Sequence, residues 1–286
     1  MTTRAMQPFE EHREHLYAVA YRMLGSLTEA DDAVQEAWLR LERTDVSDVR
    51  NLRGWLTTVV ARVCLDMLRV RSVRREEPLD EAPAVAAPDA VDPEAEAVLA
   101  DSIGVALLVI LQTLSPAERL AFVLHDMFDL PYAEIAPIVG RTENSAAQLA
   151  ARARRRVRGK TPCAAADLVR QRRLVDAFLA AARDGDFDAL LSVLDADVVL
   201  RVDAAAAGTP TTIRGAHAVA TNARAFSANA RFADAALVDG AVGIVVAPKG
   251  KLALVLRFSV AGDKITEIDI DADPQRLRRF SLAVLG

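Results

Sequence analysis

Between Arg141 and Lys160 the chain places seven basic side chains and one acid, Glu143, although its overall net charge is −5. At 3.6 residues per turn, Arg141, Asn144, Ser145, Gln148, Arg152 and Arg155 fall on one side of a helix, and Ala146, Leu149, Ala150, Ala153 and Val157 on the other. Guanidinium groups grip phosphates, and side-chain amides match the donor and acceptor pairs on base edges. The same pattern fits a solvated basic face on an ordinary helical hairpin. A local positive excess in an acidic chain points instead to a polyanion.

A second basic cluster gathers at Arg62, Arg69, Arg71, Arg74 and Arg75, with Asp66 the only acid before Glu76. Cations suit any helix C-terminus. Five arginines exceed that need, so two clusters suggest two contacts with one polyanion. A third set, Asp31, Asp32, Gln35, Glu36 and Arg40, forms a polar strip that in isolation would be a solvated face.

Helices must position these groups. Residues 9–43 read as two helices, broken at Gly25 and Ser26, with Thr28 as a cap and Ala33, Val34, Ala37, Trp38 and Leu41 facing inward. A third helix over about 52–70 carries a broad apolar side with Trp55, Val59, Val63 and Met67. The stretch 76–96, rich in proline, alanine and acids, reads as an extended linker. Helices resume over 97–113 and 116–128, the latter started by Ser115 and Pro116. A short helix over 132–139, ended by Gly140, precedes the basic helix, for which Thr142 is the cap. Two short helices and a tight glycine turn make a helix-turn-helix. Pro137 lies inside the first of them and should kink or shorten it.

Length and composition allow two or three domains in 286 residues, with 52% hydrophobic residues to fill their cores. The two cysteines, Cys64 on an apolar stripe and Cys163 in a linker, form no metal-ligand spacing or disulfide framework, so no cofactor or metal is expected. No apolar run reads as a signal peptide or membrane span, which leads to the expectation of a cytoplasmic protein.

Together these residues resemble a bacterial RNA polymerase sigma factor of the extracytoplasmic-function type. EADDAVQEAWLRL (29–41) is similar to the region 2 helix that docks on polymerase, and RGWLTTVVARVCLDMLRVRSVRRE (53–76) to the part that opens and reads the −10 element. LSPAERLAFVLHDMFDLPYAEIAPIVGRTENSAAQLAARARRR (114–156) is similar to region 4, which reads the −35 element. The resemblance implies that Asp31, Asp32, Gln35, Glu36 and Arg40 meet core RNA polymerase and that the two basic clusters meet promoter DNA.

The chain from about Asp167 lies outside the minimal family. Helices are expected over 168–182, 187–194 and 216–226, and strands over 198–203, 231–238, 242–247, 252–260 and 264–270, with hairpin turns at Asp239–Gly240, Lys249–Gly250 and Gly262–Asp263. Three helices before a curved antiparallel sheet resemble the SnoaL-like, nuclear-transport-factor-like α+β cone, which forms a subgroup's C-terminal domain. The full expectation is multidomain: residues 1–76 and 97–160 as two all-α domains, 77–96 as a linker, and 167–286 as a cone regulating activity in cis, with a small molecule or protein as its ligand. Asp203 and His217 are the cone's only candidates for a general base, and a turn residue and an exposed helix-start histidine are their alternatives. No second partner residue accompanies either, so no catalytic site is read. The competing assignment is a helix-turn-helix regulator that binds DNA without polymerase and carries a ligand-binding or enzymatic cone.

Overall fold

The computed structural model describes residues 3–46, 49–76, 104–159, 165–225 and 230–285. The linker expected at 77–96, Cys163, and the 97–103 start of the fourth expected helix lie outside them. The described residues of Met1–Glu96 and Leu111–Arg155 form one compact unit, and those of Ala97–Ile110 and Arg156–Gly286 form another.

In the first unit, α1 (Thr3–Leu24), α2 (Leu27–Arg43) and α3 (Leu52–Glu76) pack against one another. Gly25, at φ +71, ends α1, and Ser26 rather than Thr28 caps α2, its hydroxyl accepting the Glu29 N–H at 3.5 Å. The left-handed glycine reverses the chain in one residue, so the cap comes two positions earlier than the sequence suggested. The third helix continues to Glu76, beyond the expected 70.

Helix α4 (Val105–Thr113) spans the division between the units. Helix α5 (Pro116–Phe122) begins with a reciprocal box: the Ser115 hydroxyl accepts the Glu118 N–H, and the Glu118 carboxylate accepts the Ser115 N–H. A π-helical turn, Val123–Met127, follows. Arg119, 5% exposed, donates to the Met23 carbonyl at 2.8 Å, satisfying the end of α1 with a charged donor. Phe128 stands edge-on to His15 at 5.2 Å and beneath the Arg22 guanidinium at 5.1 Å. Burial, reinforced by the charges of Arg53, His12 and Arg22, pushes His15 down to about 4. Its ring shares a hydrogen-bond contact with the Thr57 hydroxyl at 3.0 Å. Burial pushes the Cys64 thiol up, which keeps it unreactive.

The second unit holds α8 (Ala165–Asp184), α9 (Phe187–Val193), β1 (Leu194–Val202), the short α10 (Ala204–Ala207), β2 (Thr211–Arg214) and α11 (Ala216–Ala225). There follow β3 (Ala233–Val238), β4 (Ala241–Val246), β5 (Leu254–Ala261), β6 (Lys264–Asp271), α12 (Pro274–Leu277) and β7 (Leu282–Ala283). The seven strands form one sheet in the order β2-β1-β6-β5-β4-β3-β7. Leu174, Phe178, Leu190, Val219, Ile244, Leu256 and Ile268 belong to its apolar core.

The expectation of an antiparallel sheet is corrected at one place: β1 and β6 run parallel, Leu200 beside Ile268. No hairpin joins these two, and the long connection between them frees their direction. Where turns were legible, the pairing is antiparallel. Asp239 and Gly240 both take positive φ between β3 and β4, as the primed hairpin turn requires.

Candidate polymerase and nucleic-acid interfaces

Helix α6 (Tyr132–Val139) runs unbroken through Pro137, which is exposed, and ends at Gly140 with φ +69. The proline does not end the helix, which is eight residues long and lacks one internal donor. Thr142 then caps α7 (Glu143–Arg158), its hydroxyl accepting the Ser145 N–H at 3.3 Å. Ala146, Ala150 and Ala153 are each 0% exposed, and Val157 is also buried. Methyl-sized side chains let α7 pack closely while its other side stays open. Arg141, Asn144, Gln148, Arg152 and Arg155 are exposed and Ser145 is half-buried, so the proposed reading face lies on one side of one helix. Leu149, expected inside, is only half-buried.

Arg154 departs from its basic neighbours. It bonds the Asp126 carboxylate and the Tyr132 hydroxyl, holding α7 to the preceding helices. Those bonds to Asp126 keep the guanidinium protonated above its ordinary range. Its position beside the alanine stripe is the only sequence signal for this inward role.

On α3, Arg62 and Arg69 are exposed, with Arg69 3.6 Å from Asp66 one turn back. Arg71, also expected to meet DNA, is half-buried and pairs with Glu29 of α2. A carboxylate across the helix pair draws it in, a contact no local spacing reveals. Arg74 and Arg75 lie on the last turns of α3, with side chains outside the described ones.

On α2, Asp31, Asp32 and Gln35 are exposed, while Glu36 and Arg40 are half-buried and bonded to each other at 2.9 Å. Trp38, expected inside, is half-buried and meets Phe9 edge-on at 5.0 Å. Phe9, Arg13, Val34 and Trp38, with Asp31 and Gln35, line a groove of about 280 Å³. Arg13 lies 3.9 Å from Asp31. The α1 side of this groove was not read from the sequence, although Phe9 and Arg13 stand one turn apart.

In the second unit Asp203 accepts N–H groups from Ala206, Ala272 and Asp273 at 2.8–2.9 Å. Burial pushes its carboxyl up, but those three donors and the Arg276 charge outweigh burial and hold it below the usual range. That is the chemistry of a turn-forming carboxylate; a general base near neutral pH needs the opposite shift. His217 is exposed and stacks edge-on with Phe187 at 4.8 Å. The two candidates are occupied as cap and surface residue.

The Sigma-70 region 2 family model matches residues 8–74, and the Sigma-70, region 4 model matches residues 104–157. Over 270 residues the chain is 38% identical to the probable ECF RNA polymerase sigma factor SigI of Mycobacterium tuberculosis, covering 93% of this chain and 92% of that one. The chain is an ECF RNA polymerase sigma factor. It directs core RNA polymerase to promoters. The sigma factor is also 42% identical over 211 residues to the ECF RNA polymerase sigma factor SigJ of Mycobacterium tuberculosis, covering 72% of this chain and 67% of that one. The crystal structure of the Mycobacterium tuberculosis extracytoplasmic function sigma factor SigJ matches with 32% identity and a TM-score of 0.46, over 95% of this chain and 98% of that one. Region 2 of the sigma factor thus contains α2 and α3, and region 4 runs from α4 to α7. Among the described residues, no helix is long and apolar enough to cross a membrane.

Proposed function

We propose that this sigma factor docks on core polymerase through Asp31, Asp32, Gln35, Glu36 and Arg40 and reads the −10 element from the end of α3. Arg62, Arg69, Arg74 and Arg75 supply the contacts there, with Arg71 released from Glu29 when DNA arrives. The −35 element is read by α7, with Asn144, Ser145 and Gln148 toward bases and Arg141, Arg152 and Arg155 toward phosphates. Residues 1–76 and 97–160 act as the region 2 and region 4 domains, joined by the 77–96 linker. Residues 167–286 form a SnoaL-like domain that regulates the factor in cis. The factor works in the cytoplasm and performs no catalysis of its own.

The observation that carries this reading is the division of α7 into a fully buried alanine stripe and an exposed polar, basic face. Transcription reconstituted from core polymerase, the purified factor and a promoter set with single-base changes is the test. Promoter-specific transcripts that shift with −35 substitutions are expected. Transcription indifferent to those substitutions overturns the assignment of α7.

A further inference from the structure

Along β3, β4 and the start of β5 the sheet of the second unit is buried on both faces. On β4, Val242, Ile244 and Val246 belong to the core beneath the helices, yet the alternating residue Val245 is only 1% exposed. Its register partner on β5, Val255, is 0% exposed, and its partner on β3 is Asp234. Strand alternation puts these three on the face away from the core. The Asp234 carboxylate accepts the Ala106 N–H at 3.2 Å, in the first turn of α4. A carboxylate there satisfies an orphan donor and opposes the positive end of the helix dipole.

A second bond is made beside it. Asp239, at the end of β3, holds Ser281 by two bonds: its N–H donates to the Ser281 carbonyl at 2.9 Å and its carboxylate accepts the Ser281 N–H at 2.8 Å. That fixes β7 in register on β3, Leu282 opposite Val238. The next residue past β7, Val284, donates its N–H to the Val157 carbonyl at 2.9 Å, in the last turn of α7. Fit is tight here: a Cβ on Gly159, which has φ +65, would stand 2.3 Å from the Ala283 Cβ.

We infer that the β3–β7 edge and the outer sheet face are the seat for both ends of region 4, so that the C-terminal domain is a structural part of the −35 reader. The first turn of α4 and the last turn of α7 are the two ends of the region 4 match, and both belong to the domain's own unit. Each contributes backbone groups that a helix end leaves unpaired, and each finds its partner on adjacent strands. Residues 104–110 and 156–159 are the occupants of this surface. Regulation in cis then acts through the tightness of this seat, and a ligand held inside the sheet is not needed for it. The inference rests on the reading of α7 as the −35 helix.

The test uses the full chain in holoenzyme and as free protein, with three variants. Asp234→Ala removes the cap, Gly159→Val forces Ala283 away while leaving β7 intact in sequence, and Asp234→Asn keeps an acceptor oxygen. Amide hydrogen exchange of the free protein should quicken about tenfold at 106–108 in Asp234→Ala, the loss expected for one helix cap. It should quicken to a similar degree, about tenfold, at 155–159 and 282–284 in Gly159→Val, as expected for one backbone bond and the strand it anchors. Amides of β5 and β6 should keep their protection in all three, and Asp234→Asn should lie between wild type and Asp234→Ala. Unchanged exchange at both ends, or a loss spread evenly over the sheet in Asp234→Asn, overturns the seat. Promoter affinity of the holoenzyme should fall several-fold in Asp234→Ala and Gly159→Val on promoters with an intact −35 element, and not on promoters lacking it. If exchange changes as expected but affinity falls equally on both promoter types, the seat stands and the assignment of α7 fails.

Discussion

Helices α2 and α7 are built alike and charged oppositely. Each buries a stripe of alanines, Ala30, Ala33 and Ala37 in one and Ala146, Ala150 and Ala153 in the other, all 0% exposed. Small inward residues bring the helix backbone close to its neighbours and leave the outward side chains standing free of the core. On α2 those side chains are chiefly acidic, and on α7 they are basic with two amides among them. The packing is therefore generic, and the two helices differ in the sign of the charge they present. Acids suit a protein surface of opposite potential, and arginines with amides suit a duplex.

The largest test of this contrast inverts α2. On the proposed docking of α2, Asp32→Lys with Glu36→Lys sets like charge against the partner surface, at a cost of about several kcal/mol. Co-purification with core polymerase should be lost, while helix content and melting temperature stay near wild type, since neither residue belongs to the buried stripe. Retention of polymerase at wild-type yield would remove the assignment of this face. On α7, Gln148→Ala should cost about 1–3 kcal/mol at one base pair and relax the choice of base there, read by binding to promoters with single substitutions. Arg152→Ala should weaken all promoters by a similar factor and lower the slope of log affinity against log salt by about 1. Arg154→Ala is the companion to it: promoter selectivity should hold while thermal stability of the first unit drops, because its partners are Asp126 and Tyr132.

The smallest effect concerns His15. Its proton is bound less tightly in the folded chain, at about 4, than the ordinary histidine value of 6.5. Stability from the neutral ring is thus fully present above pH 6.5 and is lost as pH falls toward 4. Melting curves of wild type and His15→Gln across that interval should diverge, with the wild type losing more stability on the acid side.

Local rules made much of this legible. The Ser115–Glu118 box, the left-handed Gly140 and the Asp239–Gly240 turn each need only residues within a few positions of one another. The alanine stripe and the exposed face of α7 follow from the helical repeat alone. What was missed depends on residues far apart in sequence. Arg71 meets Glu29 across 42 positions, and β1 meets β6 only after four intervening strands. Strands β2 and β7, of four and two residues, are too short for alternation to register. Their place is set by neighbours, as when Asp239 fixes Ser281.

The buried guanidinium of Arg119, bonded to the last turn of α1, bears on time rather than on energy alone. Drawing α5 away from α1 breaks the bond to Met23 and uncovers a charge now 5% exposed in the same movement. Amides on the facing turns of α5 and α1 should therefore exchange with solvent through one shared opening.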